Sequence, residues 1–254
     1  MAGISITRYP NGVTNVTEAD PLADMPELDP TRVIKIFDDF VLSASATASD
    51  VIAWATVDDG GTGTNAFQDA VGGVYNVVTA AADNDYHAMT SPNEVFKFTA
   101  GKKAWFKARV KVAEATTDDS TWWVGVTDTT TTGGMQADAA GPLASYDGCL
   151  FWKTPETALT LNFETSNAAV QNTLSAFATS VTDTWTTVAF VWDGISTVTP
   201  YVAVNGSNEL VPYTAQALTA TGLEEMHVVF GVKAGPGAAA ETLQIDYILM
   251  AQER

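Results

Sequence analysis

Apolar and polar residues alternate with a period of two along much of this chain. From Lys103 to Val112 the pattern is strict. Ala104, Phe106, Ala108, Val110 and Val112 fall on one side, and Lys103, Trp105, Lys107, Arg109 and Lys111 on the other. Successive side chains of a strand point to opposite faces, so this run predicts a strand with one side packed inward and the other toward solvent or a partner. A second alternating run closes the chain, with Leu243, Ile245, Tyr247 and Leu249 together and Gln244, Asp246 and Ile248 opposite. Similar patterning predicts strands at 33–42, 51–57, 71–79, 94–99, 103–112, 121–127, 147–153, 157–164, 184–193, 197–205, 226–233 and 241–251. Turn clusters separate them: Asp58-Asp-Gly-Gly-Thr-Gly63, Thr129-Thr-Thr-Thr-Gly-Gly134, Asn205-Gly206 and Gly235-Pro-Gly237.

Many short strands at regular spacing predict an all-β protein, a two-sheet antiparallel β-sandwich. No helical period alternates with the strands, which argues against a doubly wound nucleotide fold. No fixed-length repeat supports a solenoid or a propeller. Residues 1–31 read differently. Three prolines and several acids crowd the stretch from Asn15 to Pro30 with little periodicity. Proline removes a backbone donor and favours extended geometry, so 1–31 is expected to be an extended N-terminal arm beside a sandwich of residues 32–254. It is either a loose tail or an arm ordered against a neighbouring subunit.

Composition narrows the function. Of 254 residues, 46% are hydrophobic and 17% charged, enough to bury a large core. Thirty acids against 12 bases give a net charge of −18. A surface this acidic repels phosphate backbones and anionic membranes, so neither nucleic acid nor membrane is an expected partner. It is compatible with a basic one. A lone cysteine, Cys149, permits no intrachain disulfide. The first residues lack a charged segment followed by an apolar stretch, and no apolar run approaches the ~20 residues of a membrane span; synthesis in a cytoplasm is the expectation.

The second half carries an ordered set of motifs: Asp147-Gly-Cys-Leu-Phe-Trp152, Ala158-Leu-Thr-Leu-Asn-Phe163, Thr184-Trp-Thr-Thr-Val-Ala-Phe-Val-Trp-Asp-Gly194, Pro200-Tyr-Val-Ala-Val-Asn-Gly206 and Leu243-Gln-Ile-Asp-Tyr-Ile248. In this order they resemble the concanavalin A-like lectin/glucanase jelly roll found in laminin-G-like modules. The resemblance implies a jelly-roll sandwich and leaves function open. The whole chain, acidic and rich in Thr, Ala and Gly with a proline-rich arm, also resembles decoration and head-surface proteins of tailed bacteriophages. That second resemblance implies a virion protein on the capsid surface, made in the host cytoplasm, whose partner is the major capsid protein or neighbouring copies of itself.

Candidate chemistry is sparse. Laminarinase-like members of the jelly-roll family carry Glu-x-Asp-x-x-Glu on one strand, aiming two carboxylates into a cleft. No such run occurs here. Glu241 and Asp246 are five apart, and Glu224 and Glu225 adjacent, so each pair diverges on a regular strand; all four are expected to be solvated acids. Asp83-Asn-Asp-Tyr-His87 and Asp58-Asp59 offer oxygen donors and an imidazole for calcium or manganese, but Asp and Asn also favour turns for backbone reasons. No metal and no cofactor is therefore assigned. Cys149 sits in a predicted strand without a positive neighbourhood, as a small apolar residue would. Gly-x-Ser-x-Gly is absent, and the glycines at 60–63 precede no helix. The chain is not expected to be an enzyme.

Two aromatic features bear on binding. Trp122 and Trp123 are neighbours in a strand, so one should face the core and the other outward. Trp105 shares a face with Lys107, Arg109 and Lys111, a basic stripe in an acidic protein. Either that stripe is solvated and paired with acids on adjacent strands, or it is a contact surface for an acidic partner or a glycan, with an exposed tryptophan for stacking. Three functions follow: a capsid decoration protein attached through the arm and one sandwich face, a carbohydrate-binding lectin-like module, and, least supported by motifs, a glycoside hydrolase or lyase.

Overall fold

The computed structural model describes residues 6–8, 14–17, 21, 31–41, 54–68, 70, 72–115, 119–137, 140–154 and 160–254. Most of the expected arm lies outside the described residues. Within it, β1 (Ile6–Arg8) and β2 (Thr14–Thr17) pair as a small antiparallel sheet of their own. Next come β3 (Val33–Asp38), β4 (Ala55–Asp58), β5 (Thr64–Gln68), β6 (Val74–Val78), β7 (Tyr86–Thr90) and β8 (Ala104–Ala113). β9 (Ser120–Thr127), β10 (Gly148–Lys153), β11 (Thr160–Asn167) and β12 (Val170–Thr179) follow. The last are β13 (Thr186–Trp192), β14 (Thr197–Ala203), β15 (Val211–Pro212), β16 (Gln216–Ala217), β17 (His227–Ala234) and β18 (Thr242–Glu253).

Two antiparallel sheets form the sandwich. The smaller has the order β12-β11-β10-β9-β17-β7-β4. The larger has the order β15-β14-β13-β8-β18-β6-β5, with β16 added on β14 and β3 on β18. The chain meanders through β9 to β12 in one sheet, returns to the other for β13 to β16, then sends β17 and β18 into the middle of each. Such crossing is what buries strands far apart in sequence against one another. Between the sheets the predicted inward set of β8 is buried, and Phe106 stacks on Phe190 at 5.0 Å while Phe98 stacks on Trp192 at 5.8 Å. Each such side chain contributes roughly 1.5–3 kcal/mol by leaving water.

The sandwich departs from the alternating pattern in three places. In β18 the register against β8 shifts between Ile245 and Tyr247, so Asp246 is an extra residue. Leu243, Ile245, Ile248 and Met250 consequently enter the core, and Tyr247 and Leu249 turn to the outer face rather than inward with Ile245. Second, Trp122 and Trp123 do take opposite faces, yet neither is exposed: Trp123 packs with Ala88, Met135, Tyr146, Leu150 and Val229. The connection between β9 and β10 supplies Met135 and Tyr146, so it covers the outer side of the smaller sheet. Third, 94–99 is no strand; a single bridge joins Phe96 to Met226, and the amide of Gln252 bonds both Lys97 N and Lys97 O in place of a ladder. β5, β7 and β12 are strands that weak apolar alternation leaves out of the predicted set.

Candidate binding groove

The bulge at Asp246 shapes the outer face of the larger sheet. Phe37 of β3, Leu249 of β18 and Lys107 of β8 lie side by side as register partners. With Asp39, Asp246 and Tyr247 they line a groove of about 280 Å³. Phe37 is 50% exposed, so its ring is available to a ligand, whereas Leu249 is buried beside it. Two carboxylates and an ammonium therefore border an apolar, aromatic surface, the composition expected of a small-molecule groove.

The four stripe residues separate. Lys107 lines the groove. Arg109 stands two residues along β8 on the same face, and its Nη1 donates to Asp246 Oδ2 at 2.5 Å, which holds the bulged carboxylate in place. The Arg109 guanidinium and the Lys111 ammonium lie over the Trp185 ring, 4.8 and 5.3 Å from its centre. Trp105 corrects the expected stacking surface: it is fully buried among Val33, Leu249, Ala251 and Val191, and its ring cannot meet a ligand. The rings on this face that alternation did not point to are Phe37, Tyr247 and Trp185. Trp185 stood in a quoted motif, but nothing in a strict period of two marks the bulge that exposes Tyr247.

The metal-ligand candidates gather at one end of the sandwich. Asp58 and His87 are register partners in β4 and β7, with Asp58 Oδ2 3.9 Å from His87 Nδ1. Burial pushes the His87 pKa down, against the opposing pull of Asp58, Asp85 and Asp59, so the imidazole is favoured in its neutral form. Asp85 is buried; desolvation and the adjacent Asp59 raise its pKa, although Ala80 N donates to it. Asn84 adopts φ 63°, the left-handed geometry of a turn. Among the described residues, no three His, Cys, Asp or Glu side chains converge as metal ligands.

The acids considered for hydrolysis also have structural places. Glu241 is fully buried, not solvated, and its Oε2 accepts from Ala115 N at 3.0 Å. Glu224 and Glu225 are exposed, and Glu225 pairs with Lys97 at 3.2 Å. Cys149 lies in the core, where burial pushes its thiol well above the usual range and away from the nucleophilic thiolate.

No protein family and no curated protein matches the chain by sequence. Solved structures do match in three dimensions. The protein of unknown function SO2946 from Shewanella oneidensis MR-1 has a TM-score of 0.56 and 13% identity over 88% of this chain and 87% of its own. Peanut lectin has a TM-score of 0.57 and 14% identity over 87% and 97%. The chain has the legume-lectin jelly-roll fold. Basic winged bean lectin, at a TM-score of 0.59 and 10% identity over 87% and 98%, shares the same lectin fold. At these identities the likeness is one of backbone architecture, and no site residue carries over from it.

Proposed function

We propose that this chain is a non-enzymatic carbohydrate-binding module, with the Asp246 groove as its saccharide site. The observation that carries the reading is the half-exposed Phe37 ring set beside Tyr247, Asp39, Asp246 and Lys107 in one groove. A pyranose presents an apolar C–H face to an aromatic ring and hydroxyls to carboxylates and an ammonium, and this groove offers both. The lectin fold supports it by analogy: basic winged bean lectin was solved with Tn-antigen. The net charge of −18 favours neutral over anionic glycans. On a glycan array the protein is expected to bind uncharged saccharides saturably. Phe37→Ala should weaken that binding about tenfold, equivalent to about 1.4 kcal/mol. An array without signal, or Phe37→Ala binding as the wild type does, removes this reading.

A second reading has support in residues before Arg32. Among the described residues, β1 and β2 pair with each other and with no strand of either sandwich sheet, which suits an element that grips another molecule. In this reading the protein decorates a tailed-phage head, made in the host cytoplasm and seated on the major capsid protein or on copies of itself through the hairpin and one sandwich face. Its acidity would complement a basic shell surface. The full chain should then co-sediment with purified phage heads and be released as salt rises; failure to co-sediment at low salt counts decisively against it.

A further inference from the structure

One row of side chains crosses the outer face of the larger sheet, starting at the Asp246 groove. Phe37 of β3 pairs with Leu249 of β18, and Leu249 with Lys107 of β8. Lys107 pairs in turn with Ala189 of β13, and Ala189 with Tyr201 of β14. Residues opposite one another in an antiparallel pair point to the same face, so these five share it. The core takes alternate residues of the same strands, among them Phe106, Val188, Phe190, Val198 and Val202. Neighbouring strands lie about 4.8 Å apart, so the four spacings from β3 through β18, β8 and β13 to β14 set the Phe37 and Tyr201 backbones roughly 19 Å apart.

The row is aromatic at both ends and low between them. Leu249 and Ala189 are buried, while Phe37 is half exposed and Lys107 and Tyr201 are partly so. Ala189 contributes only a methyl group, so the aliphatic stem of Lys107 and the ring of Tyr201 are the taller neighbours on either side of it. The next outward-facing row, two residues along each strand, is polar where this one is apolar. It runs from Tyr247 to Arg109 and Thr187, with Asp246 held against the Arg109 guanidinium. Stacking surface and hydrogen-bonding groups therefore lie side by side across three adjacent strands.

Resting on the saccharide reading of the Asp246 groove, we propose that this groove is one end of a longer site. Its ligand is an unbranched, uncharged oligosaccharide laid across the strands from Phe37 to Tyr201. A single sugar ring is far shorter than the row and cannot touch both aromatic side chains. A chain of several rings stacks on Phe37 and Tyr201 together and turns its hydroxyls to Tyr247, Arg109 and Thr187. Once one end is seated, the second contact forms within the same complex, so the two reinforce each other. The apolar row is one residue wide, which suits a single line of sugars and not a branched cluster. The net charge of −18 puts anionic chains at a disadvantage.

Titration calorimetry of the full chain with unbranched gluco- and manno-oligosaccharides, from monosaccharide to hexasaccharide, tests this. In a series that binds, affinity is expected to climb about tenfold from disaccharide to hexasaccharide, the worth of one further stacked ring. Tyr201→Ala should bring the hexasaccharide down to the affinity of the disaccharide. Tyr201→Phe, which keeps the ring, should retain the dependence on length. The wild-type length series decides the question even if Tyr201→Ala does not fold. A hexasaccharide that binds the wild type no better than a disaccharide, or binds folded Tyr201→Ala as tightly as the wild type, overturns the extended site and leaves the Asp246 groove standing. Absence of binding at every length removes the groove reading and the extended site with it. Oligogalacturonates that bind more tightly than neutral chains of the same length overturn the uncharged ligand.

Discussion

Asp246 acts twice on the larger sheet. As the extra residue of a bulge it turns Tyr247 and Leu249 outward, and as an acceptor it fixes the Arg109 guanidinium. The acid thus both lines the groove and orients the basic stripe beside it. A second carboxyl group, Glu164, is buried on the other sheet. Its Oε1 accepts from the Tyr146 hydroxyl at 3.1 Å and its Oε2 from Thr173 Oγ1 at 2.5 Å. Burial raises its pKa more than these two donors lower it. Folding therefore favours the protonated acid. Its stabilisation is complete below the unfolded value of about 4.3 and is lost as pH rises through the folded value. Glu164→Gln should accordingly melt higher than the wild type at pH ~7, by roughly 2–4 °C for an effect near 1 kcal/mol in a domain this large. The advantage should shrink at pH ~4. Thermal melts showing the same difference at both pH values would contradict this account.

Among the elements, the pairing of β9 with β10 depends on two glycines. A Cβ on Gly125 would lie 2.1 Å from the Cys149 carbonyl oxygen, and one on Gly148 would lie 2.2 Å from that of Val126. Both obstacles are backbone in central strands, which cannot give way as a side-chain tip can. Gly125→Ala should lower the urea midpoint by an amount matching about 1–3 kcal/mol, with an unchanged denaturant slope. An unaltered midpoint would show that the two strands have room for a methyl group at this position. Gly231 plays a related part. It pairs with Trp123, and a Cβ there would meet that ring at 2.4 Å and Ala88 Cβ at 2.7 Å. Small neighbours thus make room for a tryptophan on the outward side, and the β9–β10 connection then closes over it.

Across the whole molecule, much was legible in the chain. The period of two placed Ala104, Phe106, Ala108, Val110 and Val112 in the core, because burial of one strand face leaves its mark on every second residue. The same reasoning, with the order of the motifs from Asp147 to Ile248, reached the two-sheet lectin-like sandwich. The basic stripe was legible as a row of charges, and Lys107 does line the groove. Other features depended on contacts between distant segments. Burial of Trp105 and of Trp123 depends on neighbours that local alternation does not specify. The meeting of Asp58 with His87 comes from the register of β4 on β7. The groove itself exists because one inserted residue, Asp246, reverses the facing of everything after it. Alternation is a local consequence of pleating and can be read along the chain; register, bulges and the covering of a sheet face are settled only when strands far apart in sequence compete for the same core.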